Sequence, residues 1–262
     1  MEKDAYIRAN RAMWNQTAEV YETEGFGALL KEVRQPDFST FDVVERRVFQ
    51  NLDLTSKDVV QLGCNNGHEL ISVKKAGAAR CVGVDVSEGM LSQAQRLADA
   101  SRQEVEFVHS SLYDLDTFGG AFDIVYVTIG VLGWLPDLPG FFDVVTDLLR
   151  PGGHLFLYDQ HPVLGMFDPA QKLVIDSSYF RQEPFVEEVL PDYMDPSQTG
   201  RATSYWFQHT LSDIISLCLD SGFILTHFEE HEHDLSGTYR AFQDFEFKPP
   251  LSFSLVAKKN NL

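Results

Sequence analysis

Apolar positions along the 262-residue chain follow two alternating periods. Short, nearly continuous apolar runs at Val59 to Leu62, Cys81 to Asp85, Phe122 to Val127 and His154 to Asp159 read as buried strands, because a parallel strand is covered on both faces. Between the runs, apolar residues recur at helical spacing. Trp14, Ala18 and Tyr21 mark one face of a helix over Tyr6 to Tyr21, and a second helix is expected over Phe41 to Leu52. His68 to Ala79 follows the first strand. Ser87 can cap a helix whose inner stripe is Met90, Leu91, Ala94 and Leu97. Phe141, Val144, Val145 and Leu148 define another helix, stopped by Pro151-Gly152-Gly153, and Leu211 to Leu219 one ended at Gly222. Strands Phe223 to Glu229 and Leu251 to Ala257 complete the pattern. Such alternation predicts an α/β fold with a mostly parallel sheet covered on both sides.

His161 to Gln208 does not alternate in this way. It is rich in Pro, Asp and aromatic residues, and loops at the carboxyl ends of parallel strands carry function. We read residues 161–208 as a lid or substrate-recognition insertion, with Ser177 to Phe185 and Thr203 to Phe207 pairing as extra strands. Residues 1–52 form an N-terminal helical cap, and residues 1–262 are expected to make one domain.

Composition narrows the class. With 44% hydrophobic residues the chain can bury one large core. The first residues are polar, and no run approaches the roughly 20 apolar residues of a membrane span, so a soluble, unexported protein is expected. Cys64, Cys81 and Cys218 lack C-x-x-C spacing and an even count, which argues against disulfides or structural zinc and for a reducing cytoplasm. Formal net charge is −18, and Pro151 to Pro250 holds 16 acids against 5 bases. Nucleic acids need a basic footprint, so a DNA or RNA substrate is disfavoured. A homodimer is compatible with the sequence.

Chemistry concentrates in Val59-Val60-Gln61-Leu62-Gly63-Cys64-Asn65-Asn66-Gly67-His68. A buried strand ending in a glycine-framed turn admits a nucleotide-like ligand against backbone, with the following helix offering its N-terminal amides. The next strand ends in Asp85, 22 positions after Gly63, where a carboxylate can accept both ribose hydroxyl protons. A dinucleotide fingerprint would need a glycine where Asn65 stands, to bring a diphosphate close. Asn65 tolerates left-handed backbone but adds bulk, so a ribose-bearing cofactor without phosphates fits better.

These residues resemble the class I S-adenosylmethionine-dependent methyltransferases from about Val59 to Lys258. Gln61 to Gly67 is similar to the first motif, Gly83 to Ser87 to the ribose-binding acid loop, and Val105 to Leu112 to the adenine-side strand. Phe122 to Val127 resembles the fourth strand, and Leu148 to Phe156 the helix, turn and fifth strand. Gln61 and Ser111 replace acids of the family pattern, and Asn65 a glycine. The resemblance implies a Rossmann-like, doubly wound seven-stranded sheet with an antiparallel last strand, and S-adenosyl-L-methionine as cofactor. It implies cofactor contacts from Gln61, Gly63, Cys64, Asn65, Gly67, Asp85, Val86, Met90, Ser110, Ser111, Leu112, Thr128 and Ile129, with Trp14 and Tyr21 closing over the ligand.

Methyl transfer needs mainly alignment and exclusion of water, plus a base when the acceptor is a hydroxyl or a protonated amine. His161, directly after the fifth strand, is the candidate base and a substrate contact, or else a histidine bonded within its own turn. Trp134, Tyr179, Tyr205, Trp206 and His209 are candidate acceptor-pocket residues, on loop position. His231-Glu232-His233 places two histidines on one strand face, but without a third ligand at metal spacing we assign no metal. Cys64 reads as a small apolar side chain rather than a nucleophile. No Asn-Pro-Pro-Tyr or Asp-Pro-Pro-Tyr sequence follows Val127, which points away from bases and glutamine. The expected activity is methyl transfer to O or N of a small molecule. A non-catalytic sensor of S-adenosylmethionine or S-adenosylhomocysteine is the alternative, and a nicotinamide dehydrogenase a third.

Overall fold

The computed structural model describes residues 2–20, 24–115, 118–169, 173–188 and 202–260. Strands β1 (Asp58–Leu62), β2 (Arg80–Asp85), β3 (Glu106–His109), β4 (Phe122–Val127), β5 (Leu149–Gln160), β8 (Phe223–His231) and β9 (Ser252–Lys259) form one seven-stranded sheet in the order β3-β2-β1-β4-β5-β9-β8. β1 to β5 pair in parallel, and β9 runs antiparallel to both β5 and β8. The expected layered sheet with an antiparallel last strand is what the chain forms. Strand order reverses on either side of β1, and in open α/β sheets the crevice outside the strand ends at such a point is where ligands bind.

Side-chain alternation sends β1 residues to two cores. Val60 and Leu62 face α6 (Leu138–Leu148) and α7 (Leu211–Asp220) through Phe141, Phe142, Val145 and Ile214. Val59 faces α3 (Val43–Leu52) and α4 (His68–Lys75) through Val48, Phe49, Leu70 and Val73. α5 (Glu88–Ser101) is capped by Ser87, whose hydroxyl accepts from the Met90 amide at 3.2 Å, and its expected stripe of Met90, Leu91, Ala94 and Leu97 is buried.

Several boundaries differ from the sequence reading. α1 spans Lys3–Val20, and Tyr21 lies outside the described residues. A helix not anticipated, α2 (Glu24–Glu32), sets Phe26, Leu29 and Leu30 against Ile71 and Leu97; at nine residues its period is too short to stand out. α6 ends at Leu148, before Pro151-Gly152-Gly153, because Leu149 is drawn into the sheet opposite Phe122. Register then jumps to Ile124 opposite His154, so Arg150 to Gly153 bulge from the strand. β7 (Ser204–Trp206) falls inside the expected Thr203 to Phe207. It pairs with β6 (Phe185–Glu187), just beyond the partner segment that the sequence suggested. Among the described residues no helix is long and apolar enough to cross a membrane.

One buried carboxyl behind the sheet titrates unusually. Asp42 caps α3 by accepting from the Val44 and Glu45 amides at 2.7 and 3.0 Å, and Glu45 answers by accepting from the Asp42 amide at 2.9 Å. The Tyr126 hydroxyl donates to the same Glu45 carboxyl. Burial, with the nearby Glu69 charge adding to it, pushes Glu45 from 4.5 up to about 7. A raised folded value favours the native state fully below the unfolded value, and the benefit is lost as pH rises through about 7. Stability should therefore fall by up to about 3 kcal/mol across that window. Glu45→Gln keeps the reciprocal cap but cannot ionise. Its urea midpoint should match the parent at pH 5 and exceed it at pH 8; a lower midpoint at pH 8 would contradict the assignment.

Candidate active site

The reversal of strand order opens into a cavity of about 590 Å³ at the carboxyl ends of β1, β2 and β4. Its floor is the turn after β1. Gly63 has φ +66°, and a β-carbon there would lie 2.7 Å from Val131 Cγ2, so only glycine fits. Asn65 adopts φ +50°, the left-handed backbone expected of it, and its Oδ1 accepts from the Asn66 amide at 2.7 Å. Asp85 closes β2 from the other side. Its Oδ2 accepts from the Asn65 amide at 2.8 Å and its Oδ1 from the Ser87 amide at 2.9 Å, so one carboxylate clamps both turns while facing the cavity. Burial raises Asp85 above the ordinary carboxyl range against these hydrogen bonds.

A second carboxylate was not anticipated from sequence. Glu69, in the first turn of α4, lines the cavity, and its Oε2 accepts from Thr128 Oγ1 at 2.8 Å and Gln61 Nε2 at 2.5 Å. Two donors converge on one oxygen, and Oε1 has no partner among the described residues. Gln61 itself is fully buried behind Glu69 and does not reach the cavity; its Oε1 is an orphaned buried acceptor. The available signal was an acid eight positions after the strand-end glutamine.

Gly63, Cys64, Asn65, Asp85, Val86, Ser111, Leu112, Thr128, Ile129 and Trp14 all line the cavity. Four expected contacts do not. Gly67 is spent on the turn, donating to Cys64 O at 2.8 Å. Met90 is wholly buried beneath Ala18 and Trp14, where it props α1. Ser110 turns its hydroxyl to Asp114 O at 3.1 Å. Gln61 lies behind Glu69, as above. Burial pushes the Cys64 thiol well up, so it is a neutral, apolar wall.

Beyond the turn the cavity has an aromatic wall. Trp134 meets Trp14 edge-on at 5.5 Å and Trp206 edge-on at 5.0 Å. The β6–β7 hairpin and α1 cover this end, tied by Asn10, whose side chain accepts from Tyr205 N at 2.8 Å and donates to Tyr205 O at 3.0 Å. Tyr205 meets Tyr6 edge-on outside the cavity, and the Tyr179 hydroxyl accepts from the Leu211 amide at 2.9 Å; both are structural positions rather than pocket walls. Asp159, at the end of β5, accepts from the Gly130, Leu132 and Gln160 amides and so shapes the loop after β4. Burial outweighs those bonds and holds it at about 7.

Three histidines line the cavity: His68, whose Nδ1 is hydrogen-bonded to Asn66 Oδ1, and His161 and His209, which differ from each other. His161 Nδ1 accepts from the Val163 amide at 3.1 Å and Nε2 donates to Glu230 Oε1 at 2.9 Å, so neither nitrogen has a free lone pair. It caps its own turn. His209 Nε2 donates to Leu135 O at 2.9 Å, which fixes the tautomer and leaves Nδ1 as the basic nitrogen. Burial lowers both rings, keeping them neutral at pH 7. The rings of His231 and His233 lie 5.2 Å apart but are bonded to Ser254 and Tyr158. Among the described residues no three His, Cys, Asp or Glu side chains converge as metal ligands.

Sheet order, glycine turn and strand-end acid define a Rossmann-like α/β fold. Residues 59–153 match the family described as methyltransferase domain. An uncharacterized protein of Haemophilus influenzae is 24% identical over 93% of this chain and 98% of its own length. A ubiquinone biosynthesis O-methyltransferase of Aromatoleum aromaticum is 33% identical over 41% of this chain, a match spanning 45% of that enzyme. Among solved structures, an S-adenosylmethionine dependent methyltransferase from Mesorhizobium loti aligns with TM-score 0.58 at 20% identity, covering 83% of this chain and 98% of that one. Magnesium protoporphyrin IX methyltransferase from Synechocystis, with S-adenosylhomocysteine bound, aligns with TM-score 0.51 at 18% identity over 95% and 100%. The structural likeness is one of fold, and the domain match covers residues 59–153, the stretch from β1 into β5.

Proposed function

We propose that this protein transfers the methyl group of S-adenosylmethionine to O or N of a small-molecule acceptor. The observation that carries the reading is a pair of carboxylates, Asp85 and Glu69, flanking the Gly63 turn in a cavity with no Lys or Arg among its described lining residues. That donor set suits a ribose at one end and an ammonium at the other, and gives a diphosphate nothing to bind. In this reading Asp85 accepts the ribose hydroxyls, Val86, Ser111 and Leu112 hold adenine, and Gly63, Cys64 and Asn65 present backbone. Glu69, held by Thr128 and Gln61, takes the methionine ammonium, with Ile129 beside the reactive end and Trp14 closing over it. When bound, the cofactor supplies a methyl group already activated on sulfonium sulfur. The aromatic wall excludes water, the loop fixed by Asp159 positions the acceptor, and His209 Nδ1 takes a proton where the acceptor carries one. His161 acts by shaping its turn rather than as the base. The charge balance agrees with a cytoplasmic enzyme that does not bind nucleic acid.

Calorimetry with S-adenosylmethionine and S-adenosylhomocysteine, joined to an assay for S-adenosylhomocysteine release in metabolite extract, tests the reading. Binding with turnover supports the enzyme; binding without turnover supports a sensor, which the uncharged Gln61 and Ser111 would also suit. Binding of neither ends both. Glu69→Gln keeps an oxygen for Thr128 but removes the charge, and should weaken both ligands about tenfold, the effect of losing one charged hydrogen bond. Unchanged affinity would remove Glu69 from the site.

A further inference from the structure

The cavity continues past the aromatic wall to an end that the cofactor reading leaves unused. Tyr239 stands there, 7% exposed, its ring packed among Leu164, Phe242 and Leu251. Its hydroxyl has no hydrogen-bond partner among the described residues, although the residue lines the cavity. The hydroxyl opens into the cavity, where a ligand's donor or acceptor group can bond it. Around it are Asp176 and Glu187, which also line the cavity, and burial first, then the charges of Asp176, Asp234, Glu187 and Asp168, raise the Tyr239 hydroxyl. Asp234 is committed to its own loop, accepting from the Ser236 and Tyr239 amides at 3.1 Å each. The carboxylates of Asp176 and Glu187 have no hydrogen-bond or ion-pair partner among the described residues. Glu187 has exposed area, yet neighbouring atoms crowd it enough for desolvation to raise its carboxyl.

We propose that this end of the cavity selects an organic ammonium, so that the acceptor molecule is a small amine carried on an apolar or aromatic body. The reasoning is electrostatic and steric together. Two unpaired carboxylates and an unpaired hydroxyl acceptor favour a cation with N–H donors, and the faces of Trp134 and Trp206 favour a cation or ring over a carboxylate. An anionic acceptor would bring like charge to Glu187 and Asp176 with no Lys or Arg among the described lining residues to offset it.

The inference rests on the methyltransferase reading, and its test separates the two. Full-length protein loaded with S-adenosylhomocysteine is titrated with matched probes: phenethylamine and tryptamine, their acid counterparts 3-phenylpropionate and indole-3-propionate, and the alcohols 2-phenylethanol and tryptophol. Binding is followed by calorimetry. Amines should bind at least tenfold more tightly than both counterparts. The double variant Asp176→Asn, Glu187→Gln should lose that preference while its affinity for S-adenosylhomocysteine stays within twofold, which also reports an intact fold. If no amine binds, if acids or alcohols bind as well, or if the double variant keeps the preference, the proposal fails and the methyltransferase reading stands. If S-adenosylhomocysteine does not bind, both fail.

Discussion

Asp85→Ala should weaken S-adenosylhomocysteine binding by about 100-fold or more. Each hydrogen bond to a charged group is worth about 1.5–3 kcal/mol, and a ribose offers two hydroxyls to this carboxylate. Two bonds lost at the lower figure give about 3 kcal/mol, or roughly two decades in affinity. Part of the effect is indirect, because Asp85 also holds the Asn65 and Ser87 amides at 2.8 and 2.9 Å and so keeps the glycine turn in shape. Asp85→Asn separates the contributions, since it retains one acceptor oxygen at similar volume and should fall between alanine and the parent. Calorimetry on both variants, with thermal unfolding as a check on folding, gives the answer. An alanine variant that binds within threefold of the parent would remove Asp85 from ribose recognition.

Gly133→Ala should cut turnover at least about tenfold while S-adenosylhomocysteine affinity stays nearly constant. A β-carbon on Gly133 would sit 2.1 Å from Trp206 Cζ2 and 2.2 Å from Cε2, far inside contact distance. Trp206 cannot simply yield, because the Phe207 amide is bonded to Gly133 O at 2.7 Å and Trp134 packs edge-on against the ring. Overpacking of this kind costs about 1–3 kcal/mol, and relief here displaces the hairpin that walls the acceptor end. The glycine turn and Asp85 lie on other elements, so cofactor affinity should survive. Adding Trp206→Leu to Gly133→Ala should relieve the overlap and restore stability, though not turnover. Full turnover in the single variant would show that Trp206 is no part of the acceptor wall.

Legibility varied along the chain with the physical origin of each feature. Strands β1, β2 and β4 were readable because burial on both faces demands uninterrupted apolar residues. Asp85 and Asn65 were readable because strand end and left-handed turn are local. Met90 shows where locality misleads: it lies beside the acid loop in sequence, but the helix turns it inward beneath Trp14. Tyr179 and Tyr205 show the same in the insertion, where an aromatic residue in a loop can serve a helix start or a neighbouring ring as readily as a pocket. Glu69 and Tyr239 were missed for the opposite reason, since nothing in their own neighbourhoods marks them and they gain meaning only from groups far along the chain.

The sequence by itself determined the layered α/β fold, the glycine turn after β1 and the acid that faces it, because strand burial, glycine backbone freedom and the strand-to-helix turn depend on neighbours a few residues away. Only the tertiary structure decided which carboxylate stands at the second end of the turn, which histidine keeps a free nitrogen, and that unpaired acids gather around Tyr239. The first two outcomes depend on hydrogen bonds between residues 59 and 74 positions apart, Glu69 with Thr128 and His209 with Leu135. Pairings over such distances are set by how the sheet brings strand ends together, and no local pattern encodes them.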